Sequence, residues 1–200
     1  MLQQDCGRLD PRIRRTRQLL HDALRRLLEQ RKFGDISVQD ITEVATLNRG
    51  TFYAHYSDKF ALLEELIRVS FLKLLAQRNV RFDGTCSSAF QAIILTVCDY
   101  LLEVQKSQSS DRPQFEPFVE ATVIDQIRLV LLEGFRAHPE ERHISPEMIA
   151  ATASWAIYGA VKQWVSTSER VPAEEFIPVA IELVQPIMMA GLEPVPKGTA

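Results

Sequence analysis

Two hundred residues, 46% of them hydrophobic, are enough for one compact core or two modest domains. The longest apolar runs, such as residues 90–97, fall well short of the roughly 18 consecutive apolar residues of a membrane helix, and no basic-then-apolar leader opens the chain, which predicts a soluble, cytoplasmic protein with no membrane partner. The net charge of −3 argues by itself against a polyanionic partner, but it hides an asymmetry: residues 1–60 hold eleven basic against eight acidic side chains, and residues 61–200 twelve against eighteen.

The basic surplus is densest in "RLDPRIRRTR", where Arg8, Arg12, Arg14, Arg15 and Arg17 offer a footing for a phosphate backbone or a solvated helix start. From Pro11, a favourable first-turn residue, Ile13, Leu20, Leu24, Leu27 and Leu28 recur at helical spacing, and Gly34 supplies a stop. Ser37 followed three residues later by Asp40 predicts a capped second helix of about two turns that turns Val38, Ile41 and Ala45 inward. Asn48 is then a good cap for a short third helix, in which Phe52 and Tyr56 share one face while Arg49, Thr51 and His55 project elsewhere. Two short helices so closely joined make a helix-turn-helix, whose second helix enters the major groove of DNA with its N-terminal residues against base edges. That explains why "NRGTFYAHY" crowds polar tips into a segment that must also pack.

The stretch "SVQDITEVATLNRGTFYAHYSDKFALL" resembles the N-terminal DNA-binding signature of the TetR family of bacterial transcriptional regulators, with a match from about Ile13 to Leu63. The resemblance implies that Arg49, Gly50 and Thr51 face bases or flanking phosphates, that Tyr53 and His55 touch phosphates, and that Lys59 holds the DNA backbone from the start of helix four. Arg15 and Arg17 on helix one, Ser37, Val38 and Gln39 at the start of helix two, and Asn48 complete the expected DNA-facing set. Two positions depart from the family pattern. Thr42 stands where a small alanine is common, and Thr46 where the turn usually has glycine. A β-branched residue is poorly suited to positive φ, which predicts a turn built differently from the usual one.

After Asp58, Leu62, Leu63, Leu66, Ile67, Val69, Phe71, Leu74 and Leu75 continue a long helix to about Val80. A loop at 83–88 precedes a helix from Phe90 to about Val104, and the polar, proline-containing stretch 106–115 reads as the longest loop. Helices follow over about 117–137, 146–166 and 172–191, and a disordered tail is expected at 193–200. The fold class is therefore all-α, with a DNA-binding domain over 10–57 and a regulatory and dimerisation domain over 58–192.

In the last two helices apolar residues do not keep to one face, so burial on both sides is expected, most simply against a second copy of the chain. The expected homodimer interface holds Ala153, Ala156, Ala160, Ile177, Ile181 and Val184, in agreement with the pairing of the last two helices in the resembled family. Phe90, Cys98, Tyr100, Phe115, Phe118, Trp155 and Tyr158 are candidates to line a pocket for a small apolar or aromatic inducer, or equally to be plain core. The "HPEERH" stretch, with His138, Glu140, Glu141 and His143, lacks a third convergent ligand and reads as a solvated loop rather than a metal site. Cys6, Cys86 and Cys98 form no C-x-x-C pair and read as free thiols. Neither a G-x-S-x-G, a P-loop nor a G-x-G-x-x-G is present, so no enzymatic activity and no cofactor are expected. The expected function is a TetR-like regulator, a repressor that releases a palindromic double-stranded DNA operator when a small molecule binds. A DNA-binding regulator without an inducer and a helical protein-interaction module remain as alternatives.

Overall fold

The computed structural model describes residues 10–80, 87–107, 112–139 and 142–192, apart from the side chains of Ser87, Ser107 and residues 112–115. Within them lie eight α-helices and no strand: α1 (Pro11–Leu28), α2 (Val38–Ala45), α3 (Arg49–Tyr53), α4 (Lys59–Gln77), α5 (Ser87–Ser107), α6 (Arg112–Ala137), α7 (Pro146–Ser166) and α8 (Ala173–Met188), with a single 3-10 turn at Phe33–Asp35. The predicted tail, Cys6, Cys86, Arg8, Glu140 and Glu141 lie outside the described residues. The polar stretch 106–115 with Pro113 reads as a loop and about 117 as the next helix start, yet α6 already begins at Arg112 and carries Pro117 inside it. A proline in the first turn removes an amide that has no helical partner there, so only Pro117 deprives the helix of a hydrogen bond.

The chain forms two compact units, one of Met1–Ser70 with Gln105–Thr122 and the other of Phe71–Val104 with Val123–Ala200. The changes from one to the other fall inside α4, α5 and α6.

In the first unit Leu20, Leu24 and Leu27 of α1 are buried with Phe33, Ile36, Ile41, Phe52, Leu62 and Leu63. The helical period of α1 places these leucines on one face, and α2 packs against both α1 and α3. The second helix starts as its sequence predicts. The Asp40 N–H donates to Ser37 Oγ (3.1 Å) and the Ser37 N–H to Asp40 Oδ2 (2.8 Å), a complete capping box. The Ser37 hydroxyl and the Ser37 N–H, both donating to Asp40 Oδ2, with Arg31 2.9 Å away, hold the Asp40 carboxyl down at about 2. Ile41 and Ala45 turn inward, but Val38 is only half-buried and Thr42 takes its place in the core. The Thr42 hydroxyl donates to the Gln39 carbonyl (3.0 Å), which satisfies the polar group that an alanine would not bring.

The helix-turn-helix turn corrects another expectation. Thr46 itself adopts the left-handed conformation (φ 56°, ψ 44°), with Leu47 N–H donating to Thr42 O (2.9 Å) and Thr46 N–H to Glu43 O (3.1 Å). This is the Schellman arrangement normally closed by glycine, and the two carbonyl bonds hold threonine in it despite its Cβ branching.

In the second unit α7 and α8 pack together. Trp164 stacks on Phe176 (centroids 5.0 Å, 13° between planes) and donates its indole N–H to Val171 O (2.9 Å), which fixes the connection between the two helices. Arg142 donates to Met188 O (2.7 Å) and Ala190 O (3.3 Å) and so caps the C-terminus of α8, while the His143 N–H donates to Gly191 O (3.0 Å). Gly191 has φ +80°, and a Cβ there would lie 2.9 Å from the Ile144 backbone nitrogen. The "HPEERH" stretch therefore carries a structural arginine, and among the described residues no group of three metal-capable side chains occurs.

The residues of the expected dimer set differ in exposure within the single chain. Ala153, Ile177 and Val184 are buried within the single chain, and Ala156, Ala160 and Ile181 are half-buried. The exposed apolar positions are instead Met148 and Trp155 on α7 and Val179 and Leu183 on α8. These helices are apolar nearly all round because one face fills their own unit while another faces outward.

The left-handed position predicts the effect of Thr46→Gly. Relief of about 1–2 kcal/mol of steric cost, less about 0.5–1 kcal/mol of added chain entropy, should raise stability by about 0.5–1 kcal/mol. Urea unfolding followed by circular dichroism measures it, and a lowered midpoint would contradict the account.

Candidate nucleic-acid interface

A helix of five residues has too few internal hydrogen bonds to hold itself, so α3 is placed by its cap and its anchors. The Asn48 side-chain oxygen accepts from the Thr51 N–H (2.7 Å) and from the Thr51 hydroxyl (2.9 Å). Phe52 is fully buried, and Tyr56, one turn on, is buried against it (centroids 5.9 Å). The Tyr56 hydroxyl and His21 Nε2 of α1 are 3.0 Å apart in a hydrogen bond. Arg17 lies over the Tyr56 ring (5.9 Å) and reaches Glu65 of α4 at 3.4 Å. One polar network thus joins α1, α3's C-terminal end and α4.

With Phe52 and Tyr56 held inside, the rest of the segment faces outward. Asn48, Arg49 and Gly50 are exposed, Tyr53 is 51% exposed, and Thr51 and His55 are half-exposed. Arg49 reaches one turn along to the Tyr53 hydroxyl at 3.5 Å. A Cβ on Gly50 would sit 3.3 Å from the capping oxygen of Asn48, so glycine there protects the cap. The Thr51 proton is taken by Asn48, which leaves the hydroxyl lone pairs and the methyl group for a base edge. Burial, with the Arg17 charge adding to it, lowers the His55 pKa below its ordinary 6.5, which favours a neutral imidazole with one ring N–H to donate at pH 7. Arg15, Ser37 and Gln39 are also exposed, and Gln39 hydrogen-bonds Glu43 (2.9 Å) along α2.

Residues 20–66 match the model of the family described as "Bacterial regulatory proteins, tetR family". Over its N-terminal helices the chain is thus similar to the TetR family. The matched span starts within α1, contains the capped turn and α3, and ends within α4. The Bacillus subtilis (strain 168) protein named "Uncharacterized HTH-type transcriptional regulator YxbF" is 37% identical over 68 residues, which are 34% of this chain and 18% of that protein. Among solved structures, the TetR fold is shared with the flavonoid-responsive regulator FrrA (20% identity, 88% of this chain and 95% of that one, TM-score 0.52). It is shared equally with a TetR-family transcriptional regulator from Syntrophomonas wolfei str. Goettingen (15% identity, 90% and 98%, TM-score 0.51).

Arg17, expected at a phosphate from the basic cluster, and Lys59, expected there from the TetR resemblance, both have partners within the protein. Arg17 turns to Glu65 and Tyr56 rather than outward, because it lies on the same helical stripe as Ile13, Leu20 and Leu24. Lys59 donates to three backbone carbonyls of the segment before α2. Sequence reading also missed His21, although its place three residues before Leu24 put it on the buried face of α1.

The expected pocket set does not behave as one group. Phe90, Cys98, Tyr100 and Tyr158 are buried in the second unit, and burial pushes the Cys98 thiol up to about 12. Trp155 is 59% exposed, Phe118 belongs to the first unit where it stacks on Phe60 (5.4 Å), and the Phe115 side chain lies outside the described residues. A helical period cannot tell a pocket wall from a core, and it missed the outward turn of Trp155.

Burial lowers the His21 pKa below its ordinary 6.5, the nearby Glu65 acting in the opposite sense. The unfolded chain therefore takes up a proton on this side chain before the folded one does. The His21 contribution is whole above pH 6.5 and is lost as pH falls from there through the folded-state value. Urea midpoints should decline along this acid limb, and less steeply in His21→Gln; an equally steep decline would assign the limb to another group. Tyr56→Phe, which leaves His21 without its partner, should cost about 1–2 kcal/mol at neutral pH in the same assay.

Proposed function

We propose that this protein is a cytoplasmic transcriptional repressor of the TetR family that binds a palindromic DNA operator as a homodimer. The observation that carries the reading is the outward set Arg49, Thr51 and Tyr53 on a helix whose inward set, Phe52 and Tyr56, is locked in a core. Arg49 offers a bidentate donor for a guanine edge and Thr51 a methyl and an acceptor, while Tyr53 and neutral His55 serve phosphates. Asn48 contributes only its NH2, since its oxygen is occupied by the cap. Arg15, Ser37 and Gln39 flank this surface as backbone contacts. Residues about 10–57 carry recognition in this reading, and about 58–192 carry regulation and dimerisation.

Dimerisation is supported by the outward apolar stripes of α7 and α8. Met148 and Trp155 are seven residues apart on one helix and Val179 and Leu183 four apart on the other, so each pair shares a face. A two-fold pairing through them sets two copies of α3 into successive major grooves of a palindrome. Release by a small molecule is supported by the family and by the shared fold of a regulator described as flavonoid-responsive. Gln126 adds a structural reason, because its side-chain oxygen is buried in the second unit without a hydrogen-bond partner, and a ligand donor would satisfy it.

Arg49→Ala should cost about 1–3 kcal/mol on the operator and little on random duplex, measured by fluorescence anisotropy; equal losses on both would place Arg49 among the phosphate contacts. Leu183→Glu or Trp155→Glu should yield a folded monomer by light scattering that no longer shifts the palindromic site. A monomeric variant with unchanged operator affinity would sink the dimer reading.

A further inference from the structure

The first residue of α4 is a cation, an unfavourable place for positive charge because the helix dipole is positive there. Asp58 relieves part of the cost by accepting the Phe60 and Ala61 N–H groups, both at 2.9 Å. Lys59 resolves the rest by turning back from the helix. Its ammonium donates to Ile36 O (2.7 Å), Phe33 O (2.9 Å) and Gly34 O (3.1 Å), and it lies 4.7 Å from the Phe33 ring centroid and 5.7 Å from that of Phe60. An ammonium has three N–H donors, so these carbonyls occupy all of them.

The place of the three carbonyls gives the contact its meaning. They belong to the 3-10 turn and to the residue just before Ser37, the cap of α2. The hydrogen bonds span 23, 25 and 26 residues of chain, and the enclosed segment contains α2, the Thr46 turn and α3. The start and the exit of the helix-turn-helix are thus tied by a single side chain. We infer that Lys59 is a positioning residue: a non-covalent staple that closes the helix-turn-helix and sets the angle of α3, rather than a contact to the DNA backbone. The inference rests on the DNA-binding reading for its consequence, and on the three hydrogen bonds of Lys59 for its geometry.

Two substitutions separate a staple from a phosphate contact. Lys59→Met keeps the aliphatic stem and removes the ammonium. Lys59→Arg keeps the charge, but a planar guanidinium cannot aim donors at three carbonyls around one point. In the absence of DNA both variants should lower the thermal midpoint by about 3–8 °C and speed hydrogen exchange across residues 37–56. Both should weaken specific and random duplexes together by about tenfold, with the slope of log affinity against log salt unchanged. The staple is overturned if Lys59→Met leaves melting and exchange at wild-type values and shrinks the salt slope by about one unit while Lys59→Arg binds normally. A wild-type protein that binds no duplex would overturn the DNA-binding reading instead, and the melting and exchange measurements would still decide for or against the staple. Should Lys59→Met not fold, Lys59→Arg decides: wild-type melting and exchange in that variant rule the staple out.

Discussion

The outward surface of this protein depends on a helix that cannot stand alone. Five residues of α3 form little more than one turn, and an isolated helix of that length is unstable in water. Its orientation is borrowed from buried neighbours: Phe52 in the core, Tyr56 bonded to His21, and the Asn48 cap that fixes the first turn. Every outward side chain of the segment is positioned only as well as these inward ones.

That dependence explains why so many polar groups of the first unit lie inside it. His21, Tyr56, Arg17 and Glu65 connect α1, the end of α3 and α4 through hydrogen bonds and an ion pair, and Lys59 connects α4 to the approach to α2. Apolar packing alone resists separation but tolerates sliding, whereas directional bonds select one arrangement. Under the proposed function, where the surface matches the spacing of base edges, the second kind of restraint is the useful one.

The second unit shows a related division of labour on single helices. One face of α7 and of α8 fills the unit, with Trp164 on Phe176 at its edge, while Met148, Trp155, Val179 and Leu183 lie outside. Arg142 and Gly191 close the far end of α8, so a loop that reads as solvated has a mechanical part in holding the helix that carries Val179 and Leu183 outward.

What the sequence determined by itself were the features encoded over a few residues. The helical period of α1, the Ser37–Asp40 box, the Asn48 cap and the inward Phe52 and Tyr56 need only local spacing, and all are present in the structure. Features joining distant parts of the chain were decided by tertiary structure. Lys59 and Arg17 read as surface cations because nothing nearby in sequence names the carbonyls 23 or more residues away, or the carboxylate 48 away, that claim them. Likewise Thr46 adopts a left-handed backbone that its own chemistry disfavours, held by two carbonyl bonds and the packing of the helices on either side. For the same reason periodicity found both faces of α7 apolar but not which one turns outward: burial belongs to the neighbours a helix acquires, and those are fixed only when the chain has folded.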